Sequence, residues 1–443
     1  MNQTIYALSS GPGLAGIAVI RISGSSSAAV LRKLSGRDLP PARLATRVRL
    51  TDPLTGELLD HGLALWFPQP SSFTGEDVAE FHIHGGRAVI DAVLSVLGRL
   101  DGMRLAMPGE FTRRAFDNGK LDLTEAEGLA DLINAETAMQ RHQALRQMEG
   151  ALGRVYSDWR IRLLRTLAYL EADLEFPDED LPADASSRVV PEITIIGTQI
   201  NDHLADLHRG ERLRDGLVIA ILGAPNVGKS SLLNYLARRD AAIVSVTAGT
   251  TRDVIEVRMD LGGYPVIVAD TAGLRESGDQ IEVEGVRRAE KLAREAGLKL
   301  ILFDATSWPG ADAATARLVD DDSLIVVSKC DMAQPDKDSR LEGRPIFPTS
   351  SITGQGMEAL VKALTEATTT RLAVKEGPSL TRARHREALE ECLACLQRAE
   401  TVSALELATE DVRMAVRALG RIVGRVDVEE VLDLVFRDFC IGK

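Results

Sequence analysis

The stretch LVIAILGAPNVGKS, residues 217–230, decides how the centre of this chain folds. Its apolar first half is typical of a strand buried on both faces of a parallel sheet. GAPNVGKS then satisfies the pattern G-x-x-x-x-G-K-S/T, in which glycines let backbone amides curl around phosphates, the lysine reaches the β and γ oxygens and the hydroxyl ligates Mg²⁺. The stretch predicts a strand, a P-loop and a helix, with Lys229 catalytic and Ser230 a magnesium ligand.

Three further motifs follow in the order of a GTP site: Thr250-Thr251, Asp270-Thr271-Ala272-Gly273, and Ser328-Lys329-Cys330-Asp331 with Ser350-Ser351-Ile352. The Thr251 hydroxyl would complete the Mg²⁺ shell. The Asp331 carboxylate can accept the adjacent N1–H and 2-amino groups of guanine, a pair that adenine lacks. Ser328 replaces the usual Asn, which should cost about one hydrogen bond, or about 1 kcal/mol. We therefore expect selection of GTP to survive this replacement.

The predicted GTP-binding residues come from all of these segments. They are Asn226, Val227, Gly228, Lys229, Ser230, Ser231, Ser245, Val246, Thr247, Ala248, Gly249, Thr250, Thr251, Asp270, Thr271, Ala272, Gly273, Ser328, Lys329, Asp331, Ser350, Ser351 and Ile352. Leu274 poses a problem, because Ras-like enzymes orient the attacking water with a Gln near this turn and an alkyl side chain cannot do so. Either the protein does not hydrolyse nucleotide or another group positions the water.

The chain outward from the P-loop predicts a multidomain protein of α/β and α+β class. We expect an α+β domain at 1–118, a doubly wound α/β domain at 211–375, and one discontinuous helical domain formed by 119–210 and 376–443. Thr124 and Glu127 have capping-box spacing at the start of the helical region. The acidic, proline-containing segment EADLEFPDEDLP (171–182) is predicted to be a loop.

Composition limits the kind of protein. With 443 residues, 45% hydrophobic and 26% charged, the chain is typical of a globular protein of several domains. No apolar run is long enough to span a membrane, and MNQTIYALSS lacks the features of a signal peptide, so a cytoplasmic location is expected. The net charge of −13 argues against non-specific coating of nucleic acid but leaves room for a local basic patch.

Motifs along nearly the whole chain resemble those of the MnmE or TrmE family of tRNA-modification GTPases. Besides the GTPase motifs, the resemblance rests on GPGLAGIAVIRISG (11–24), SFTGEDVAEFHIHGG (72–86), PGEFTRRAFDNGKLDLTEAEGLADLI (108–133) and the terminal FCIGK (439–443). It implies an N-terminal folate-binding and dimerisation domain, a Ras-like P-loop GTPase domain inserted into the helical domain, and a C-terminal CIGK motif.

The resemblance also implies a function. The enzyme would hydrolyse GTP as a homodimer and form a heterotetramer with the FAD-dependent partner MnmG or GidA. The complex would install a (carboxymethyl)aminomethyl group on carbon-5 of the wobble uridine of certain tRNAs, with a one-carbon unit from 5-formyl- or methylene-tetrahydrofolate. The chain leaves open which tRNAs are modified, whether ammonium or glycine supplies nitrogen, and how the nucleotide state gates the chemistry. One alternative is a GTP-dependent switch in ribosome assembly, as in Era and Der; another is a folate sensor without modification chemistry.

Several residue roles follow from the resemblance alone. Potassium would replace the missing Gln, held by Asn226 and by positions Ser245, Thr247 and Thr250, and Glu282 would orient water. Glu282 could instead be a solvated helix residue, with Glu284 as a competitor. Folate contacts fall on Arg21, Glu80, Lys120 and Lys443. Cys440 is either a catalytic thiol near the folate or an inert, buried cysteine.

Three weaker features have a structural and a functional interpretation each. Cys392 and Cys395 form one C-x-x-C in a helical stretch, which favours two packed cysteines over a zinc site. His82 and His84 alternate on a predicted strand without an evident third metal ligand. Four arginines recur every four residues on one predicted helix, either as a solvated face or as phosphate contacts for tRNA; they are Arg413, Arg417, Arg421 and Arg425.

Overall fold

The computed structural model describes residues 3–11, 13–175, 183–205, 207–238, 255–270, 292–310, 312–336, 339–373, 380–426, 432, 435–436, 439 and 442. The chain divides into two compact units. Unit 1 contains Met1–Ala130, Gln147–Arg165 and Arg413–Lys443, and unit 2 contains Asp131–Arg146 and Thr166–Val412. Each unit is built from segments that are far apart in sequence.

Unit 1 contains a six-stranded sheet. Its strands are β1 (Thr4–Leu8), β2 (Ala15–Ser23), β3 (Thr46–Thr51), β4 (Leu58–Phe67), β5 (Val78–Gly85) and β6 (Met103–Leu105). They lie in the order β3-β4-β5-β2-β1-β6, and every neighbouring pair is antiparallel except β1–β6. Helices α1 (Ser27–Ser35) and α2 (Arg87–Gly98) bury their apolar residues in the same cluster as the inward-facing residues of the sheet. This is the α+β domain that the sequence predicts.

Strand β5 shows how the sheet acquires a buried and an accessible face. Ala79, Phe81 and Ile83 are buried, and Glu80, His82 and His84 alternate with them on the other face. The two histidines therefore share one face, as predicted. Each has a carboxylate partner, and no group of three or more potential metal ligands occurs in the part of the chain that the structure describes.

The remaining helices of unit 1, besides α1 and α2, come from three parts of the chain. They are α3 (Glu110–Asp117), most of α4 (Leu123–Asn134), the first part of α6 (Ala151–Glu175) and the end of α13 (Leu405–Val423). The capping box of α4 lies two residues before the predicted one. The Asp122 backbone N–H donates to Glu125 Oε2 (2.8 Å), and the Glu125 N–H donates to Asp122 Oδ1 (2.9 Å). The predicted Thr124 and Glu127 are buried instead, because Leu123 already begins the apolar face.

The acidic segment 171–182 is only in part what the sequence predicts. Its first five residues, 171–175, continue helix α6, so the prediction of a loop is wrong for them. Leu163, Leu167 and Leu170 are buried at spacings of four and three. The packing of this apolar stripe stabilises α6 up to the residue before the acidic segment, and the helix continues into that segment. Residues 176–182 lie outside the described residues.

Unit 2 contains a seven-stranded sheet. Its strands are β7 (Leu217–Gly223), β8 (Ile255–Leu261), β9 (Tyr264–Asp270), β10 (Leu298–Asp304), β11 (Ser323–Ser328), β12 (Arg340–Leu341) and β13 (Arg344–Pro348). Their order is β12-β13-β11-β10-β7-β9-β8, with antiparallel pairing only at the two edges, β8–β9 and β12–β13. Helices α9 (Lys229–Ala237), α10 (Ala313–Ala316) and α11 (Met357–Leu372) connect or follow the strands. Apolar clusters on both faces confirm the doubly wound sheet.

The other helices that lie wholly or mostly in unit 2 are α5 (Ala138–Met148), α7 (Ala183–Ala205), α8 (Leu207–Asp215) and α12 (Ala383–Thr401), and the unit also contains the end of α4, the second part of α6 and the start of α13. Cys392 and Cys395 lie inside α12, both buried and both free thiols, and burial raises the pKa of each. They are packed residues, as predicted. Among the helices described, none is long and apolar enough to cross a membrane.

Candidate functional site

The P-loop joins the end of β7 to the start of α9. Two residues in it have left-handed backbone conformations, Asn226 (φ 60°) and Gly228 (φ 106°). At Gly228 this conformation strains any side-chain-bearing residue, which explains the glycine required there. The next residue, Lys229, begins α9, so the free N–H groups of the first helical turn form an anion site beside the loop.

Lys229 spans the loop from the helix to the strand. Its Nζ donates to the carbonyl oxygens of Gly223 (2.8 Å) and Ala224 (2.9 Å), and the residue is 7% exposed. Burial lowers the pKa of Lys229, and the nearby Asp270 carboxylate opposes that effect. The ammonium group is thus held at the loop, where the phosphates of a nucleotide bind.

Ser230 and Asp270 join the P-loop to the end of β9. The Ser230 hydroxyl donates to Asp270 Oδ2 over 2.8 Å, and Asp270 is fully buried. A hydroxyl paired with a carboxylate is a hard oxygen donor set of the kind that Mg²⁺ prefers. The residues present therefore fit the predicted metal at Ser230, and Thr251, its predicted second ligand, lies outside the described residues.

Ser328 connects the base-recognition segment to the P-loop. Its hydroxyl lies within hydrogen-bonding distance of the Val227 carbonyl in the P-loop and 3.1 Å from the Phe303 carbonyl at the end of β10. Lys329 follows in a left-handed conformation (φ 59°), and its Nζ lies 2.7 Å from Asp304 Oδ2. Burial raises the pKa of Asp304, but hydrogen bonds from Lys329 and Thr306 outweigh it and lower that pKa overall.

One of the predicted guanine contacts, Asp331, lines an open cavity of about 590 Å³. Its lining includes Asp331, which is exposed, and residues 353–355 of the segment after β13. The Ser350 hydroxyl accepts from the backbone N–H groups of Ile352 and Thr353 (both 3.3 Å), which holds this segment in a tight turn. The cavity thus contains the one carboxylate that the sequence predicts for guanine recognition.

The structure brings together those nucleotide-site residues that it describes. Val227 and Ser328 are buried, Asn226, Ser231 and Ile352 are exposed, and Ser351 is intermediate. The other predicted residues lie outside the described residues: Ser245, Val246, Thr247, Ala248, Gly249, Thr250, Thr251, Thr271, Ala272, Gly273, Leu274, Glu282 and Glu284.

A second polar cluster lies on the accessible face of the unit 1 sheet. Arg21 on β2 and Glu80 on β5 are register partners, and Arg21 Nε lies 2.8 Å from Glu80 Oε1. The Arg21 guanidinium also lies over the rings of Phe73 (5.5 Å) and Phe111 (5.8 Å). His82 Nε2 lies 3.4 Å from the other Glu80 oxygen. The cluster offers an ion pair beside aromatic rings, which suits a flat, amide-bearing ligand.

The C-terminal segment reaches the same sheet. The Ser9 hydroxyl donates to the Gly442 carbonyl (2.9 Å). Ser9 directly follows β1, and Ala7 in β1 is the register partner of Arg21. Lys120, the third predicted folate residue, is exposed and extends along Gly75. Cys440 and Lys443 lie outside the described residues. The sequence does not predict the roles of Phe73, Phe111 and Ser9. Phe73 and Phe111 contact Arg21, and Ser9 contacts Gly442, only through the tertiary structure.

Comparisons with known proteins cover the whole chain. Two family models match, the N-terminus of GTP-binding protein TrmE over residues 4–120 and the MnmE helical domain over residues 123–440. The tRNA modification GTPase MnmE of Paramagnetospirillum magneticum is 55% identical over 443 residues and covers 100% of both chains. A mitochondrial 5-taurinomethyluridine-tRNA synthase subunit of Danio rerio is 46% identical over 468 residues, which cover 100% of this chain and 93% of the relative.

One solved structure is that of Era in complex with MgGDPNP and nucleotides of 16S ribosomal RNA. It is 26% identical and covers 40% of this chain and 66% of its own, with a TM-score of 0.28. A TM-score of this size supports no argument about this chain. The two family models and the two observed sheets together confirm the predicted fold class: an N-terminal α+β domain, a helical domain and a Ras-like P-loop GTPase domain.

Proposed function

This chain belongs to the MnmE family of tRNA modification GTPases and is a GTP-hydrolysing enzyme, and we propose that it modifies the wobble uridine of certain tRNAs. Together with an FAD-dependent partner of the MnmG or GidA type, it would install a (carboxymethyl)aminomethyl group on carbon-5, using a folate one-carbon unit. The observation that carries this proposal is the presence in one chain of the P-loop contacts of Lys229 and Ser230, of a cavity lined by Asp331, and of the Arg21–Glu80 pair in the sheet that Gly442 contacts.

The GTPase chemistry is proposed from the P-loop residues. Lys229 would contact the β and γ phosphates, and Ser230 with Thr251 would hold Mg²⁺, which when bound neutralises phosphate charge. Asn226, exposed in the loop, would hold K⁺ with the carbonyls at Ser245, Thr247 and Thr250, supplying the positive charge that an arginine finger supplies elsewhere. Glu282 would orient the attacking water, the task that Leu274 cannot perform.

The folate site is proposed on the accessible sheet face. Glu80 would accept the N–H groups of a pterin ring, Arg21 and the two phenylalanine rings would orient it, and Lys120 and Lys443 would pair with the glutamate tail. The ligand would be 5-formyl- or methylene-tetrahydrofolate. Cys440, two residues before Gly442, has two proposed roles, a catalytic thiol or a packed cysteine, and Cys440→Ser with normal modification would select the second.

Folate binding has a direct test. Arg21→Ala and Glu80→Ala should each abolish 5-formyltetrahydrofolate binding in calorimetry, because each removes one half of the ion pair. Arg87→Ala is the matched control, since Arg87 lies on α2 with its side chain 93% exposed and should not affect binding. Unchanged affinity in both test variants would remove the folate site from this face.

The assembly is proposed from family membership. The enzyme would act as a homodimer, with GTP hydrolysis dependent on pairing of two GTPase domains, and would form a heterotetramer with its partner. Its substrate would place it in the cytoplasm, where tRNA is abundant.

Mass spectrometry of wobble nucleosides from cells with and without this gene tests the proposed function. We expect the modified uridine to disappear on deletion and to return on complementation. Unchanged nucleosides together with accumulated ribosomal subunit precursors would instead support the alternative, a GTP-dependent switch in ribosome assembly. Unchanged nucleosides with intact folate binding would indicate a folate sensor.

A further inference from the structure

An arginine cluster lies at the C-terminal end of helix α13 in unit 1. Arg413, Arg417 and Arg421 follow one another at spacings of four on the helix, and Arg425 follows two residues after its end. Arg417 and Arg425 are exposed, and Arg413 and Arg421 are half-buried. The spacing keeps these side chains on neighbouring parts of the helix surface.

Arg160 joins the cluster from a different helix, α6. Its Nε lies only 3.4 Å from the place where a Cβ on Gly420 would stand, so the absence of a side chain at Gly420 lets the guanidinium lie against α13. The Arg425 backbone N–H donates to the Gly420 carbonyl over 2.9 Å, which holds the end of the helix in place. Two segments distant in sequence thus meet at one group of cations.

Three arginines of the cluster lack the carboxylates that accompany other arginines of unit 1, within the part of the chain that the structure describes. Arg21, Arg104 and Arg114 each face a glutamate. In contrast, three arginines of the cluster make no ion pair with any described residue: Arg160, Arg417 and Arg425. The next acidic residues in sequence, at 427, 429 and 430, lie outside the described residues.

Arg160 is the least satisfied cation of the group. Its Nε is buried and has no hydrogen-bond partner within the described ranges. Burial lowers the pKa of Arg160, and the like charge of Arg425 lowers it further. A buried N–H without an acceptor has a free-energy cost that an added acceptor would remove.

The helix dipole does not explain the whole cluster. The C-terminus of a helix attracts cations, which accounts for arginines on α13 itself. It does not account for Arg160, which belongs to α6 and brings a second positive charge against Arg425. Arg160 and Arg425 are like charges held together without a carboxylate among the described residues, and such a pair favours the binding of an anion from outside the chain.

We propose that Arg160, Arg417, Arg421 and Arg425 form a docking surface for the phosphate backbone of tRNA. The identity of the polyanion rests on the proposed function. A guanidinium group can pair with phosphate through two hydrogen bonds, and a chain of net charge −13 needs such a local patch to hold RNA. Binding through this surface depends on salt and is insensitive to base sequence.

The test measures binding of bulk tRNA, purified from cells lacking the gene, to the full-length protein over about 50–200 mM salt. The double variant Arg417→Glu/Arg425→Glu should bind about tenfold more weakly and show a smaller slope of log affinity against log salt, by about two. Arg317→Glu is the control, because Arg317 is exposed in unit 2 and the variant makes the same substitution, with half the total charge change, away from the cluster. GTP hydrolysis should be unchanged in both variants, which shows that they fold.

Equal affinity and equal salt slope in the double variant would overturn the docking surface while leaving the proposed function intact. If the charge reversal impairs folding, the neutral pair Arg417→Gln/Arg425→Gln replaces it, with a smaller loss of affinity and the same change in slope expected. A wild-type protein that binds no tRNA and whose deletion leaves wobble nucleosides unaltered would refute the proposed function itself, and this surface with it.

Discussion

Ser328 stands where guanine-binding motifs usually carry Asn, and its contacts support the expectation that the site tolerates the change. The hydroxyl reaches carbonyl oxygens in the P-loop and at the end of β10, so it still ties the base-recognition segment to the phosphate-binding loop. The sequence predicts a deficit of about one hydrogen bond at this position. The structure shows which hydrogen bonds the Ser328 hydroxyl still makes in place of an Asn side chain.

Ser328→Ala should weaken GTP binding about fivefold, because one buried hydrogen bond contributes about 1 kcal/mol. Titration with a fluorescent GTP analogue measures the change. ATP should still compete poorly, since Asp331 and not Ser328 distinguishes the bases. Equal competition by ATP and GTP in the wild-type protein would contradict the assignment of Asp331.

Arg114 is the most enclosed cation of the unit 1 ion pairs, with its side chain 6% exposed between Glu76 and Glu110. Burial raises the pKa of Glu110, but hydrogen bonds from Arg104, the Met107 N–H and Arg114 outweigh it and lower that pKa overall. A carboxyl group with a lowered pKa stabilises the fold above its unfolded-state pKa. That contribution is lost as the pH falls through the folded-state value.

Arg114→Met should therefore destabilise unit 1 by about 3 kcal/mol at pH 7, because it leaves two glutamates without their buried cation. Hydrogen exchange of β1 and β2 amides measures the loss. The difference from wild type should shrink as the pH falls through the lowered pKa of Glu110, because that carboxyl group is then protonated and no longer depends on the cation. Arg87→Met, at an exposed position on α2, should change stability by less than about 0.5 kcal/mol.

At the scale of elements, local patterns predict structure well and long-range pairing poorly. The order strand, P-loop, helix follows from one continuous stretch, 217–230, because glycines and apolar runs act locally. The pairing of Arg21 with Glu80 depends instead on the register of β2 and β5, which no local pattern contains. The sequence predicts the capping box two residues late because D-x-x-E and T-x-x-E overlap in LDLTEAE, and only packing of Leu123 decides between them.

Gly424 lets the end of α13 pack closely against α3 and α4. It has φ 81°, and a Cβ there would lie 2.6 Å from the Phe116 ring and 3.2 Å from Leu123 Cβ. Gly424→Ala should destabilise unit 1 by about 2–4 kcal/mol, the sum of a left-handed backbone cost and overpacking. Thermal unfolding and hydrogen exchange of the unit 1 amides measure this loss of stability.

Gly36→Ala provides the comparison for Gly424. Gly36 has φ 64° at the end of α1, and a Cβ there meets nothing within 4 Å. Gly36→Ala should lower the free energy of unfolding only by the cost of a left-handed backbone at a non-glycine residue, about 1–2 kcal/mol. Equal effects of the two substitutions would show that the Phe116 contact contributes nothing.

At the scale of the whole molecule, hydrolysis should depend on the monovalent cation. Replacing K⁺ by Na⁺ at constant ionic strength should reduce GTP turnover at least about tenfold, because a ligand shell spaced for K⁺ would not hold the smaller Na⁺ beside the β/γ bridge. Leu274→Gln should not be required for activity, and Glu282→Ala should abolish the K⁺-stimulated rate. Equal rates in the two salts would contradict the potassium mechanism, which concerns residues outside the described part of the chain apart from Asn226.

Membership in a family of tRNA-modification GTPases could be predicted from sequence because the motifs that carry it span the chain, from GPGLAGIAVIRISG to FCIGK. The described structure adds the contacts of Lys229, Ser230 and Asp270 and the approach of Gly442 to Ser9. Ser230 and Asp270 are 40 positions apart in the sequence, and Ser9 and Gly442 are 433 positions apart. Sequence patterns of short range do not contain such information.

One measurement tests the central claim most directly: mass spectrometry of wobble nucleosides from cells whose only copy of this gene carries Lys229→Ala. The variant loses the ammonium group held at the P-loop, so GTP hydrolysis should fail while the Arg21–Glu80 cluster stays intact. We predict loss of the modified wobble uridine in these cells and normal levels in cells carrying the control Arg317→Ala. A normal level of the modified nucleoside in the Lys229→Ala cells would contradict the claim that GTP hydrolysis drives the modification.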